Sequence, residues 1–136
     1  MQKIDGIFDL QQQLLSLRAQ RQQLLASNIA NADTPNYKAR DIDFAKALAL
    51  ATSAAGAAGG PVELARTSST HLAGATGESV GGVPVQYRVP TQPSVDGNTV
   101  EPDYERAQFV DNALHYETDL TVLNAQIKAV LTAIQG

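Results

Sequence analysis

The sequence contains neither cysteine nor tryptophan among its 136 residues, and aromatic residues make up only 5% of it. Without cysteine, disulfide bonds, thiol catalysis and cysteine-ligated metal sites are excluded. The formal net charge of −4 at pH 7 argues against broad affinity for nucleic acid, which requires clustered lysine and arginine. The shortage of aromatic anchors favours long helices, because leucine and alanine can fill the narrow seam between them.

Long hydrophobic runs are also missing. Asp5 and Asp9 interrupt any apolar run at the N-terminus, so we expect no cleavable signal peptide. Residues 47–62 carry no charge, but they are mainly Ala, Gly, Ser and Thr and are too weakly apolar to span a bilayer. These features predict a soluble chain, and any export would have to use a route without a standard signal.

Patterns of catalytic and metal-binding residues are absent from the sequence. His71 and His115 are the only histidines, and neither stands in a zinc motif or beside a nucleophile elbow. The carboxylates between Glu101 and Glu105 stand where a helix is predicted to begin, and there they complement the positive end of the helix dipole. We therefore expect no enzymatic activity, no cofactor and no metal site.

The first long segment, residues 4–30, is predicted to form a helix. Its apolar positions recur in steps of three and four, the spacing of a coiled-coil seam. The predicted seam consists of Leu10, Leu14, Leu17, Arg21 and Leu24. A second apolar row lies beside it and comprises Phe8, Leu15, Leu25 and Ile29. We expect this row to stay exposed until neighbouring molecules dock, and the free monomer to be largely unfolded at its ends.

The last segment, residues 102–134, carries the longest regular pattern. Pro102 suits the first turn of a helix, and the apolar residues then follow unbroken steps of four and three. They are Phe109, Ala113, Tyr116, Leu120, Leu123, Ile127, Val130 and Ile134. Because neither terminal helix is apolar all round, each needs a partner for its stripe.

The predicted fold class is mainly α. We expect the terminal helices to pack as an antiparallel coiled-coil hairpin, with an ordinary helical bundle as the alternative. A short third helix is predicted over residues 41–51, with Asp41 or Asp43 as its cap. Residues 83–89 alternate with period two, but Pro84 and Pro90 would keep such a strand at an edge or leave it merely extended.

This pattern divides the chain into three parts. Residues 1–51 form an N-terminal helical segment, residues 52–100 a flexible linker with an extended region, and residues 101–136 the C-terminal helix. Residues 52–61, with the sequence TSAAGAAGGP, are of low complexity. The two end segments are expected to fold together as one helical domain.

The hairpin would place residues 4–7 against residues 130–134, and Arg21 near Glu117 and Asp119. We predict a partly buried ion pair between Arg21 and one of these carboxylates, within the subunit or across to a neighbour. The alternative is that Arg21 extends from the stripe into solvent.

The first helix is predicted to end within residues 31–36, because Pro35 cannot continue it and Asn and Asp favour turns. Asn28 and Asn31 share a helix face there. Their amides can satisfy carbonyl groups left free at the helix end, or they can bond another subunit or domain. Both interpretations remain open on the sequence.

Residues 17–21 and 25–44, the latter reading LASNIANADTPNYKARDIDF, resemble the N-terminal signature of the flagellar basal-body rod family, and most closely its proximal rod members. The resemblance continues at residues 87–90, at residues 96–101 and in the closing helix. Relatives often have Gly where Asn36 stands, and Asn tolerates the same left-handed turn. The resemblance implies an assembly signature made of Asn28, Asn31, Asp33, Thr34, Pro35, Tyr37, Asp41 and Phe44.

The resemblance also implies a function. Such proteins are exported unfolded by the flagellar type III apparatus and build the periplasmic rod, which carries torque and whose inner layer consists of the terminal helices. The implied partners are copies of the chain itself, the next rod protein of the FlgC type, an adaptor of the FliE type and the export gate. The competing hypotheses are a coiled-coil export chaperone or adaptor, and another rod member of the same family.

Overall fold

A computed structural model describes residues 2–54, 79–80 and 83–136. The elements are α1 (Gln2–Ala30), β1 (Arg40–Ile42), α2 (Phe44–Ala54), β2 (Ser79–Val80), β3 (Val83–Tyr87) and α3 (Pro102–Gln135). The mainly helical class is therefore confirmed. Most of the predicted linker lies outside the described residues. Among the described helices, none is both long enough and apolar enough to cross a membrane.

The terminal helices lie close to their predicted bounds. Proline is absent from α1, whose 29 residues are mostly good helix formers. Pro102 occupies the first turn of the 34-residue α3, where its missing N–H group leaves no hydrogen bond unmade. Asp103 and Glu105 add negative charge at the positive end of that helix.

The short helix α2 begins three residues later than predicted. Asp43 precedes it, and its Oδ1 accepts a hydrogen bond from the Lys46 N–H at 3.1 Å. This is an N-terminal cap, so Asp43 is the capping residue of the two considered. Asp41 instead lies in β1, and the prediction that it starts the helix was wrong.

The three short strands form antiparallel pairs in the order β1-β3-β2. Strand β1 pairs with Val85–Tyr87, whereas β2 pairs with Val83 and Pro84. The expected edge position of β3 was therefore wrong for the strand as a whole, which has a neighbour on each side. Each of its residues is nevertheless paired on one side only, and this arrangement accommodates Pro84, which has no N–H group to donate.

The apolar core lies between α1, β1 and α2. Leu17 and Leu24 are buried with Ile42 and Ala47, and the half-buried Phe44 and Val85 pack against them. The predicted seam residues of α1 thus contact the sheet and the short helix. The remaining seam residues of α1, Leu10, Leu14 and Arg21, are half-buried.

The predicted stripe of α3 is only partly covered. Its half-buried members are Phe109, Ala113, Tyr116, Leu120, Leu123 and Val130. Ile127 and Ile134 are 40% and 76% exposed. The second apolar row of α1 also differs from expectation, because Leu25 is completely buried within the chain.

Polar contacts connect the second half of α1 to the first half of α3. Asn28 bonds Glu105, Arg21 bonds Gln108, and Asn112 bonds the carbonyl oxygen of Arg18. The partners in α3 therefore advance in sequence as those in α1 recede. The expected packing of residues 4–7 involves side chains outside the described set.

Candidate functional site

Five polar side chains meet where α1, β1, the chain after β3 and α3 come together. We call this group the junction cluster, and it consists of Arg21, Asn28, Asp41, Arg88 and Glu105. Asp41 is held by two arginines from different parts of the chain. Arg21 Nε donates to its Oδ1 at 3.0 Å and Arg21 Nη2 to its Oδ2 at 3.1 Å, while Arg88 Nη2 also donates to Oδ2. The paired, two-pronged geometry of Arg21 fixes its orientation as well as its charge partner.

Glu105 is fully buried in the junction cluster, with no exposed side-chain surface. Its Oε1 accepts from Arg88 Nη1, and its Oε2 accepts from Asn28 Nδ2 at 3.2 Å. Asn28, also fully buried, exchanges hydrogen bonds with the backbone of Arg40, donating to its carbonyl at 2.7 Å and accepting from its N–H at 3.0 Å. Asn28 therefore joins α1 to both β1 and α3.

The local structure places Arg88 in the junction cluster. Its backbone N–H donates to the Ala39 carbonyl at 2.9 Å, which extends the β1–β3 pairing by one step. Its guanidinium also lies 4.8 Å from the centre of the Tyr104 ring, a cation–π distance. Arg88 thus contacts β1 and the first turn of α3 at once.

Burial and charge act in opposite directions on the ionisable members of the junction cluster. Burial raises the pKa of the Glu105 carboxyl above its ordinary value, and the hydrogen bond from Asn28 and the charge of Arg88 only partly oppose this. Burial acts to lower the pKa of Arg21, but the hydrogen bond and charge of Asp41 outweigh it, so the Arg21 pKa is raised.

A second polar group holds the end of α1 against the chain that precedes α3. Asn98 is 6% exposed, and its Nδ2 donates to the carbonyls of Asn31, Ala32 and Thr34 at 3.1, 2.8 and 2.9 Å. Its Oδ1 accepts from the Val100 N–H at 2.7 Å. Asn98 therefore satisfies carbonyl groups that the end of a helix leaves free.

Backbone contacts continue this attachment. The Asn36 N–H donates to the backbone carbonyl of Asp96 at 2.9 Å, and the Thr99 N–H donates to the backbone carbonyl of Tyr37 at 3.0 Å. Asn36 has a φ of 60°, so the expected left-handed turn is present. Gly97 has a φ of 74°, and a Cβ there would lie 2.6 Å from the Asn36 side-chain oxygen. Close approach and positive φ together explain why glycine stands at this position.

A family model described as "Flagella basal body rod protein" matches residues 11–38, which include most of α1 and the turn after it. A Salmonella typhimurium protein named flagellar basal body rod protein FlgB is 50% identical over 136 residues, covering 100% of this chain and 98% of the relative. Those of the same name from Yersinia enterocolitica and Escherichia coli are 49% and 47% identical over 135 and 136 residues, each covering at least 99% of this chain and 98% of the relative. The chain belongs to the FlgB group of flagellar basal body rod proteins. The family resemblance drawn from its signature is confirmed.

The residues of the rod-family signature have different structural roles. Asn31 closes the helix locally, because its Nδ2 donates to the Ser27 carbonyl at 2.8 Å and its Oδ1 accepts from Thr34 Oγ1 at 3.1 Å. Tyr37 is joined through its hydroxyl to Ser27 Oγ at 3.0 Å. Asp33 and Pro35 are exposed in the turn. Within the chain, Asn31 therefore fits the helix-stop interpretation, whereas Asn28 fits the interpretation of a contact between elements.

Arg21 makes a partly buried ion pair, but the partners predicted for it within the chain, Glu117 and Asp119, were wrong, and a pair with either residue of a neighbouring subunit stays a prediction. Arg21 pairs with Asp41, and its Nη2 also donates to Gln108 Oε1 at 2.9 Å. Asp119 pairs instead with Arg18, whose guanidinium lies 4.6 Å from the centre of the Phe44 ring. Asp41 lies in β1, which packs beside α1, and its carboxylate therefore contacts Arg21 directly. The carboxylate of Asp119 in α3 contacts Arg18 and not Arg21.

Sequence reasoning missed several members of these polar contacts. Glu105 was interpreted as a dipole complement, and Asn98, Arg88 and Asn112 were given no role of their own. A signal was present, because Glu105, Asn112 and Asp119 recur every seven residues and therefore share one face of α3. Each of the three bonds a residue of α1.

An open apolar groove of about 430 Å³ runs between α1 and α3. Its lining includes Ala19, Ala26, Phe109, Ala113 and Tyr116. In the parts of the chain that the structure describes, no group of three or more His, Asp or Glu side chains is placed to hold a metal ion.

Proposed function

We propose that this chain is a structural subunit of the proximal rod in the bacterial flagellar basal body, with no catalytic activity. There it would form part of the axial drive shaft, transmit torque and contribute to the wall of the export channel. The observation that carries the proposal is the 50% identity to a FlgB rod protein over the whole chain. The polar contacts between the terminal helices supply a physical reason for such a role.

A subunit that carries torque must resist sliding of one helix along another. In the junction cluster, sliding α3 by one turn would separate Glu105 from Arg88 and Asn28. Separating a buried ion pair costs roughly 3–5 kcal/mol, because the remaining charge has no partner. We infer that the terminal helices act as an antiparallel coiled-coil hairpin whose register is fixed by buried polar contacts.

The proposed environment follows from the rod role. The partners would be further copies of the chain, a neighbouring rod protein of the FlgC type, an adaptor of the FliE type and the export gate. The chain would lie in the periplasmic part of the basal body after export without a cleaved signal peptide. Residues 1–51 and 101–136 would form its helical domain, with residues 52–100 connecting them.

Cell fractionation with an epitope-tagged, functional chain tests this proposal. A rod subunit should be enriched in purified basal bodies and remain there after washing in high salt. A tagged cytoplasmic protein serves as the control for contamination. Recovery only in the cytoplasm, in a stable complex with exported proteins, would instead establish the chaperone hypothesis.

A further inference from the structure

The chain contains two Asp–Gly dipeptides, and the structure places them in different backbone environments. Asp5 and Gly6 lie within α1, whereas Asp96 and Gly97 lie at the turn in the chain that precedes α3. In an Asp–Gly dipeptide the aspartate side chain can react with the nitrogen of the next residue, because glycine has no Cβ to obstruct the approach. The product is isoaspartate, in which the main chain runs through the aspartate side chain.

The helix disfavours this reaction at the first dipeptide. The aspartate side chain and the next nitrogen must close a five-membered ring, which requires rotation of the backbone, and an α-helix fixes φ and ψ at about −63° and −42°. Exposure does not explain the difference between the two sites, since Gly6 is exposed and Gly97 is half-buried. The difference lies in the backbone.

The turn leaves the Gly97 nitrogen weakly bonded. Its N–H donates to the Ser94 carbonyl at 3.4 Å, which is longer than the usual range of about 2.7–3.2 Å. Gly97 has a φ of 74°, so its backbone is not in the helical region. Asp96 is exposed, and water therefore has access to the ring that the reaction would form there.

The side chain of Asp96 is folded over the same peptide group. Its Oδ1 accepts a hydrogen bond from the Asn98 N–H at 3.1 Å, which is the arrangement of an Asx turn. The ring of atoms closed by this hydrogen bond includes the Gly97 nitrogen. The turn thus holds the Asp96 carboxyl beside the atom with which it would react.

We propose that Asp96–Gly97 is a site of spontaneous isoaspartate formation in the folded protein. The Gly97 nitrogen attacks Asp96 Cγ and a C–N bond forms, while the carboxyl OH and the amide hydrogen leave as water. Water then adds to the main-chain carbonyl carbon of the resulting succinimide ring, and the bond from that carbon to the Gly97 nitrogen breaks. The former main-chain carbonyl becomes a carboxylate, and the link to Gly97 runs through Cγ. One water leaves and one enters, so the mass of the chain is unchanged.

The altered link would disturb the attachment between the end of α1 and the chain that precedes α3. It adds one carbon–carbon bond of about 1.5 Å between the Asp96 Cα and Gly97. The backbone carbonyl of Asp96 accepts from the Asn36 N–H, and that of Gly97 accepts from Lys38 Nζ. A Cβ at Gly97 would already lie 2.6 Å from the Asn36 side-chain oxygen, so the turn has little room for another carbon. We expect the displaced Asn98 to release the carbonyls at the end of α1.

Ageing of the full-length protein at neutral pH, followed by peptide mapping, tests the proposal. Trypsin releases residues 89–106 as one peptide, because Arg88 and Arg106 bound it and no lysine or arginine lies between them. Isoaspartate is detected by methylation of its free carboxylate with isoaspartyl methyltransferase and by uptake of heavy oxygen from labelled water. Fragmentation of the peptide distinguishes position 96 from Asp103. A parallel sample in urea gives the rate in the unfolded chain, and Asp5–Gly6 in that sample is the positive control for detection.

The folded protein should form isoaspartate at position 96 within about threefold of the amount found in urea. Suppression by about tenfold or more, which corresponds to about 1.4 kcal/mol of protection by the fold, would overturn the proposal. Asp96→Glu is the matched variant, because it keeps the carboxylate but would have to close a six-membered ring. It should form no isoaspartate in residues 89–106 over the same period. Isoaspartate in that peptide of the variant would assign the product to another residue and also overturn the proposal.

Hydrogen exchange tests the structural consequence. The isoaspartyl form is separated from the unmodified protein by chromatography, and exchange at the Asn36 and Thr99 amides should be about five- to tenfold faster in it, the equivalent of one lost hydrogen bond. Aged Asp96→Glu should keep the exchange rates it had before ageing. Equal exchange in the two forms of the protein would contradict the loosening of this attachment. The rod function is judged separately, by the presence of the chain in basal bodies.

Discussion

At the scale of single residues, Arg88 is the side chain of the junction cluster that bonds both of its carboxylates. It bonds Asp41 and Glu105, and only 15% of its side chain is exposed. We predict that Arg88→Met destabilises the protein by roughly 3–5 kcal/mol, because it leaves the fully buried Glu105 carboxylate without its charge partner. Urea unfolding followed by circular dichroism measures this loss.

A matched control and a double variant distinguish the lost charge from lost packing. Arg106→Met removes an exposed arginine whose partner Asp103 is also exposed, and it should leave the free energy of unfolding nearly unchanged. Arg88→Met combined with Glu105→Gln should recover part of the loss, because the unpaired charge is then absent. A double variant no more stable than Arg88→Met would show that the charge is not the cause.

The raised pKa of Glu105 predicts a particular dependence of stability on pH. The folded protein binds the Glu105 proton more tightly than the unfolded chain does, so this group adds stability as pH falls through its folded-state pKa towards the ordinary value of 4.5. Stability contributed by Glu105 is correspondingly lost as pH rises through that window. The free energy of unfolding is measured at a series of pH values for the protein and for Glu105→Gln. The slope of this free energy against pH should differ between the two across that window.

The control for this pH dependence is Glu117→Gln, which retains Glu105 and alters an exposed carboxylate. Its slope should match that of the unmodified protein across the same window. If Glu105→Gln also keeps the slope, another group is responsible and the assignment to Glu105 is wrong.

Asn98 gives the third prediction at this scale. Asn98→Ala removes the amide that bonds three carbonyls at the end of α1. The loss should be about 1–3 kcal/mol, the usual cost of leaving buried polar groups unsatisfied. Hydrogen exchange should accelerate at the backbone amides of Asn36 and Thr99, because both form hydrogen bonds between the turn after α1 and the chain that precedes α3. Gln92→Ala, at an exposed position nearby, should leave both amides unchanged.

At the scale of elements, α1 buries more of its surface within the chain than its seam alone predicted. Leu25 lies outside the seam yet has no exposed surface. We predict that Leu25→Ala destabilises the protein by about 2–5 kcal/mol, since it removes buried methyl groups and leaves a cavity. Leu114→Ala, at a 67% exposed position of α3, should have little effect on the same urea unfolding midpoint. Similar midpoints for the two variants would mean that Leu25 faces solvent in the free protein.

The elements also show how far the sequence could predict the fold. Periodicity is a local property, so α1 and α3 were predicted within two residues of their ends. The strand β1 has only three residues, and its partner β3 lies more than 40 positions away, so no local pattern revealed the pair. Without β1, the proximity of Asp41 to Arg21 and Arg88 could not be anticipated.

At the scale of the whole molecule, the core and the polar contacts lie in the half of the helix pair where α1 ends and α3 begins. Among the side chains of α1 that the structure describes, the buried ones begin at Leu17, and the polar contacts of α3 reach Asp119. Beyond them, α3 continues to Gln135 with Leu131 and Ile134 exposed. The expectation that the ends of the free monomer are unfolded therefore stays a prediction.

A cryo-electron microscopy map of the isolated basal-body rod from cells that make this chain tests the central claim most directly. The account predicts that the chain is built into the proximal rod, with α1 and α3 side by side in opposite directions. Asn28 should lie next to Glu105, as it does in the single chain. A proximal rod without this chain, or one in which its two terminal helices lie apart, would contradict the account.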